Sequence, residues 1–212
     1  MLFNRNLYIT LSVLFLISCI PPNFSVIQSA KLVDKGQKEA TPSVTITPFS
    51  AHYGLQLAYG LSNERNILFR YARGQNDRIS QDYFAVGLKS EIRRDRSALY
   101  VPISFSIETG RSAQDSYYSY WFIEPTLLFS KSFDYIELNP SYKVLANFDG
   151  GVDVASIGIG FSDDFSKWVL RGEAGCLGVV STFAYNVLNN DNEDFCLPQA
   201  SVGLSLNFSN WD

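Results

Sequence analysis

Few residues in this chain are of types that do chemistry, and their spacing narrows the choices. The single histidine, His52, stands two residues after Ser50. On an extended strand the two share a face and could serve as base and nucleophile. Ser-x-His also arises by chance, no second signature residue supports it, and a histidine in a loop or at a strand end is the plainer reading. Glu108, Glu124 and Glu137 could supply carboxylate pairs for general acid–base work. Salt bridging with Arg70, Lys89 and Arg171 accounts for the same residues more simply. The run Asn189, Asn190, Asp191, Asn192, Glu193, Asp194 is rich in oxygen donors, and Asp191, Glu193 and Asp194 are its candidate ligands for a divalent cation. Its spacing is not that of an EF-hand loop, and a solvated acidic loop explains it. Three cysteines and one histidine leave no room for a zinc finger or a multi-histidine centre. No phosphate loop, haem motif or nucleotide-binding glycine pattern occurs, so no cofactor is expected. With 17 basic against 21 acidic residues and no basic cluster longer than three, nucleic-acid binding is excluded. The balance lies toward a protein that is not an enzyme.

The elements that hold these residues begin with an export segment. Arg5 precedes an apolar run over residues 7–17, too short to span a bilayer as a helix and stopped by Pro21 and Pro22. Leu16-Ile17-Ser18-Cys19 resembles the lipobox of bacterial lipoproteins. That resemblance implies a signal peptide over residues 1–18, cleavage before Cys19 and lipidation of its thiol and amine. Residue 20 is Ile rather than Asp, which by the family's sorting rule implies the outer membrane. Loss of Arg5 with the signal peptide leaves 16 basic and 21 acidic residues, a net charge of −5. Residues 19–40 read as a flexible tether, with residues 41–212 as the folded unit.

From about Ser43 the apolar period is two. Tyr53, Leu55, Leu57, Tyr59 and Leu61 alternate with Gly54, Gln56, Ala58 and Gly60; Leu99, Val101, Ile103, Phe105 and Ile107 alternate with Tyr100, Pro102, Ser104, Ser106 and Glu108. Nine such segments are long enough to cross a membrane. A tenth carries Val44, Ile46 and Pro48 at even positions, whereas the next is apolar at odd ones. A tight turn across residues 49–52 explains the parity change, and a β-bulge would as well. Connections alternate in length: residues 62–66, 94–97, 131–134 and 162–166 are short, and residues 74–81, 109–118, 147–151 and 181–196 longer. The expectation is an all-β, antiparallel, up-and-down transmembrane β-barrel of about ten strands, with eight as the alternative.

Alternation does not say which face looks inward. Three features favour apolar side chains toward lipid. The polar face is rich in Gly, Ser and Ala. Aromatic residues gather near strand ends (Tyr53, Tyr71, Tyr83, Phe129, Phe161, Trp168, Phe208). The mid-strand charges Arg70, Lys89, Glu91, Glu108, Glu124, Glu137, Lys143, Arg171 and Glu173 come in both signs, as a narrow lumen requires. In addition, Ser201-Val202-Gly203-Leu204-Ser205-Leu206-Asn207-Phe208 resembles the terminal β-signal of bacterial outer-membrane barrels, carried by Ser201, Gly203, Leu206 and Phe208. The resemblance implies recognition by the barrel-assembly machinery through edge pairing. Four residues follow Phe208, where many members end on the Phe.

Cys176 and Cys196 flank the longest loop and are expected to form a disulfide in an oxidising compartment, with two reduced thiols as the alternative. The functional expectation is a small lipidated outer-membrane barrel with a filled interior, working structurally or by binding through external loops (residues 109–118 and 181–196). Its partners would be outer-membrane lipid and lipopolysaccharide. Two alternatives stand beside it. One is an outer-membrane hydrolase acting on lipid A or peptide at the rim, since omptin-like proteases, lipid A deacylases and outer-membrane phospholipases also use a His. The other is a lipid-tethered soluble barrel binding an apolar ligand.

Overall fold

The computed structural model describes residues 28–47, 50–75, 79–110, 117–133, 136–148, 152–165, 168–177 and 197–208. The strands are β1 (Lys38–Thr47), β2 (Ser50–Ser62), β3 (Arg65–Gln75), β4 (Ile79–Arg93), β5 (Ser97–Gly110) and β6 (Tyr117–Ile123). They continue with β7 (Thr126–Phe129), β8 (Lys131–Ser132), β9 (Glu137–Asn147), β10 (Val152–Phe165), β11 (Trp168–Leu177) and β12 (Leu197–Asn207). Each pairs antiparallel with its neighbours. β12 pairs with β1, and β10 pairs with both β9 and β11, so the sheet closes on itself.

Segments β6, β7 and β8 follow one another along a single stave between β5 and β9, so the described strands make ten staves. This stave is broken at Glu124 and Pro125, where proline has no N–H for the ladder. The gap is bridged by Glu124 N–H to the Pro102 carbonyl at 3.1 Å and Val144 N–H to the Pro125 carbonyl at 2.9 Å. The parity change near residue 49 is a hairpin and not a bulge, because Thr47 pairs directly with Ser50.

The chain enters β1 and leaves β12 at one end of the barrel, with the turns β2–β3, β4–β5, β8–β9 and β10–β11. The remaining connections lie at the other end. Two of the four expected long loops are shorter than the sequence suggests. The β3–β4 ladder runs on to Gln75 opposite Ser80, and the β5–β6 ladder to Thr109 opposite Tyr117, whereas the β9–β10 ladder ends with Ala146 opposite Val152 and leaves residues 147–151 between them as expected.

The facing decides the class of barrel. Leu55 and Ile103 are 38% and 49% exposed, with Leu57, Phe69, Val86, Trp121, Leu127 and Val202 exposed on the same outer surface. Gln56, Arg70, Ser104, Glu124, Asn139, Lys143 and Ser205 are buried inside. A soluble barrel holding an apolar ligand buries the opposite set, so that alternative is set aside.

Two expectations need correction. Tyr83, assigned to an outer girdle, shares the parity of Ala85 and is buried in the lumen. The tether does not extend to residue 40: Gln28, Ser29 and Ala30 are buried, and β1 begins at Lys38. Gln28 Nε2, the Ser29 carbonyl and the Ala30 N–H find partners on the barrel wall, and this holds a segment whose composition alone reads as linker.

Candidate functional site

The lumen collects most of the ionic side chains that alternation placed inside. At mid-height, Glu124 is the hub. Lys143 Nζ lies 3.1 Å from its Oε2, the Tyr83 hydroxyl donates to its Oε1 at 2.5 Å, and the Ser104 hydroxyl also donates to Oε1. The Arg70 guanidinium stands over the Tyr83 ring, 5.6 Å from its centroid, which suits a cation on an aromatic face. Tyr100, Phe122 and Leu128 are wholly buried around this layer. Of the nine expected lumen charges, Arg70, Lys89, Glu124, Glu137, Lys143 and Glu173 are buried inside, and Arg171 is mostly so. Glu108 lies partly buried nearer the loop end and accepts from Gln81 Nε2 at 3.0 Å. Glu91 shares the inward parity, but its carboxylate accepts the Asp95 N–H at 2.8 Å and so caps the β4–β5 turn.

The second cluster fills the mouth at the turn end. Here Gln28, Ser29 and Ala30 are buried inside the barrel and residues 31–36 lead out through its mouth, fixed by side chains from several staves. Gln28 Nε2 donates to Gln56 Oε1 at 2.6 Å, and the Ala30 N–H donates to Ser130 Oγ at 2.6 Å. Lys89 Nζ donates to the carbonyls of Ser29 at 2.8 Å and Lys31 at 2.5 Å. Lys31 pairs with Glu137. Ala30 itself packs against Ala58, Leu68, Ala98, Tyr100 and Leu128, a small apolar cluster inside an otherwise polar lumen. Beside the segment a recess of about 440 Å³ remains, with Lys89, Asn66 and Arg171 on its walls. Arg171 pairs with Glu39 at 3.1 Å and donates to Ser205 Oγ at 2.6 Å. Sequence reasoning missed Glu39 because it began the first strand near residue 43. The alternation of Glu39 with Thr41, Ser43 and Thr45 is the signal that could have found it.

Ser50 and His52 do meet. Ser50 Oγ lies 2.6 Å from His52 Nε2, at the loop end of β2. The ring is buried against the wall, opposite Gly74 of β3. A Cβ on Gly74 would stand 1.9 Å from His52 Nδ1, so glycine is what admits the imidazole. Glu108, Glu124 and Glu137 do not form a carboxylate pair with one another; each has its own partner as given above. Among the described residues no cluster of three or more metal-ligating side chains occurs.

Cys19 and Cys196 lie outside the described residues, as do the cation candidates Asp191, Glu193 and Asp194. Cys176 is opposite Pro198 in the β11–β12 ladder. Ser201 and Gly203 of the terminal strand face inward and are buried, and Phe208, just past its end, is exposed.

No family model matches the chain, and no curated protein does. Among solved structures it is similar to the N-terminal β-barrel domain of Pseudomonas aeruginosa OprF, with 10% identity, 83% of this chain and 100% of that one covered, and a TM-score of 0.38. It is also similar to the translocator domain of the autotransporter NalP from Neisseria meningitidis, with 8% identity, coverage of 89% and 91%, and a TM-score of 0.40. A de novo designed transmembrane β-barrel matches at 13% identity, with coverage of 83% and 98% and a TM-score of 0.39. The fold assignment rests on this chain's own strand pairing and on the direction its side chains face.

Proposed function

We propose that this protein is a bacterial outer-membrane β-barrel with a sealed lumen, serving as a structural or surface-binding element through the connections at its loop end. The observation that carries the reading is the inverted facing: an apolar outer surface around a lumen of hydrogen-bonded ionic groups. Hydrocarbon accepts such a surface, and closure leaves no strand edge exposed to it. The lumen is filled at mid-height by Tyr83, Tyr100, Phe122 and the Glu124–Lys143 pair, which argues against a general porin. Lipidation at Cys19 and recognition of β12 by the assembly machinery belong to the same reading. Lipopolysaccharide is the surface partner it implies.

The test is heat-modifiable gel migration of the protein recovered from outer-membrane vesicles, together with the mass of the N-terminal peptide. A fast-migrating unheated form and a diacylglycerol-bearing Cys19 are expected. Recovery in the soluble fraction with unchanged migration on heating would refute the reading.

The Ser50–His52 hydrogen bond supports a second reading, a hydrolase acting at the loop end. It requires turnover of lipid A or peptide by the purified barrel, lost in His52→Ala. Equal turnover by both proteins, or none by either, removes it.

A further inference from the structure

We propose that the turn end of the barrel carries a docking surface for the phosphodiester headgroups of anionic phospholipids, centred on Arg94, Arg96 and Lys131. The proposal rests on the membrane reading and adds to it a lipid class and a direction.

Three observations carry it. First, positive charge is concentrated in one sector of that end. Arg65 on the β2–β3 side, Arg93, Arg94 and Arg96 at the β4–β5 turn, and Lys131 of β8 are all exposed. The acids among them are Glu64, Glu91 and Asp95, and by sequence Asp134 in the β8–β9 connection. Glu91 is committed to the Asp95 N–H at 2.8 Å, and Asp95 approaches Arg94 only to 3.9 Å. The sector is thus positive on a chain whose net charge is −4. The loop end has the opposite bias in sequence: Asp77, Asp82, Asp115, Asp149, Asp153, Asp191, Glu193 and Asp194 against Arg73, Arg78 and Arg111.

Second, the cations border a groove of about 740 Å³, lined by Arg94, Asp95, Arg96, Ser130, Lys131 and Ser132. The Ser130 N–H donates to the Arg96 carbonyl at 2.8 Å, which ties the turn to the β7–β8 stave and holds the two sides of the groove together. A guanidinium on one side and an ammonium on the other form a donor set for phosphate oxygens; the Ser130 hydroxyl is turned inward, donating to Asn139 Oδ1 at 2.7 Å.

Third, the groove opens at the edge of the apolar belt. Ile92 and Phe129, adjoining the groove residues in the chain, are exposed on the outer surface, and Lys131 Nζ lies 5.2 Å from the exposed Phe133 ring centroid. A lipid phosphate seated there has its acyl chains along the barrel wall. Free phosphate uses the cations alone and leaves those apolar neighbours unexplained. A basic rim against an anionic surface contributes about fivefold in partitioning for each side chain close to it, less when screened by salt.

The test is equilibrium urea unfolding of the full chain in phosphatidylcholine vesicles, in phosphatidylcholine vesicles containing phosphatidylglycerol, and in phosphatidylcholine vesicles with added inorganic phosphate. Heat-modifiable migration reports the folded fraction. Phosphatidylglycerol is expected to raise the folding equilibrium constant of the wild type at least about tenfold. Inorganic phosphate is expected to leave it unchanged. Most of the gain should disappear in the triple variant Arg94→Gln/Arg96→Gln/Lys131→Gln. Equal stability of the wild type in both membranes overturns the proposal without any variant being needed. So does full retention of the gain by the triple variant, or reproduction of the gain by inorganic phosphate. Failure to insert into either membrane overturns the membrane reading and this proposal with it, and is told apart by the absence of any heat-modifiable form.

Discussion

Lys143 Nζ stands 3.1 Å from Glu124 Oε2, and both side chains are closed off from solvent at the centre of the barrel. The two residues come from different staves, Glu124 at the break between β6 and β7 and Lys143 from β9. Each is the other's condition for being charged in a space where an unpaired ion is costly. Tyr83 and Ser104 both donate to the other carboxylate oxygen, Oε1. The centre of the lumen is therefore an ion-paired and hydrogen-bonded cluster as well as a filled volume.

Removing one member exposes that dependence. Lys143→Met should lower stability by about 3–5 kcal/mol, because Glu124 keeps its burial and loses its cation. Adding Glu124→Gln should recover a good part of the loss. Urea midpoints of the heat-modifiable form, measured for the two single variants and the double, give the coupling directly. Additive effects would mean that the pair is not formed in the folded protein.

His52 and Gly74 offer a second coupled pair. Gly74→Ala places a Cβ within 2.2 Å of both Nδ1 and Cε1 of the ring, so the imidazole or the strand must shift. The expected cost is about 1–3 kcal/mol. The loss should be largely absent when His52→Ala is already in place, and the same double-mutant cycle reads it.

On the outer surface, Leu57→Arg should cost about 2–4 kcal/mol in a bilayer, since Leu57 lies mid-strand and faces outward. Leu57→Met should be nearly neutral. Unfolding in vesicles distinguishes the two; a neutral arginine would place Leu57 away from hydrocarbon.

The lumen segment makes a prediction about proteolysis. Lys89 supplies the donors for the Ser29 and Lys31 carbonyls. Lys89→Met removes them and should weaken the docking of residues 28–36 by about 1–3 kcal/mol. Trypsin should then cleave after Lys31 and Lys35 faster than in the wild type while the barrel remains heat-modifiable. Unchanged cleavage rates would show that the segment is held by other contacts.

Much of the fold was legible in the sequence. Parity was the strongest guide: Val44 and Ile46 at even positions, then Tyr53, Leu55 and Leu57 at odd ones, located the first hairpin to within two residues of Thr47 and Ser50. The same rule marked Arg70, Lys89, Glu124, Glu137, Lys143, Arg171 and Glu173 as one face. Tyr83 was misassigned because aromatic type was weighed above parity. The tether was drawn too long because residues 28–36 have no period of their own.

What the sequence determined by itself was therefore the two faces of each strand, since a pleated strand sends successive side chains to opposite sides whatever it pairs with. It did not set the height at which inward groups from different staves meet. Register and closure decided that Lys143 reaches Glu124, that Arg171 reaches Glu39, and that Lys89 caps the carbonyls of a segment lying outside every strand. Register between adjacent staves suffices for Lys143 and Glu124, whereas Arg171 and Glu39 are far apart in the chain and meet because β12 pairs with β1 and closes the cylinder.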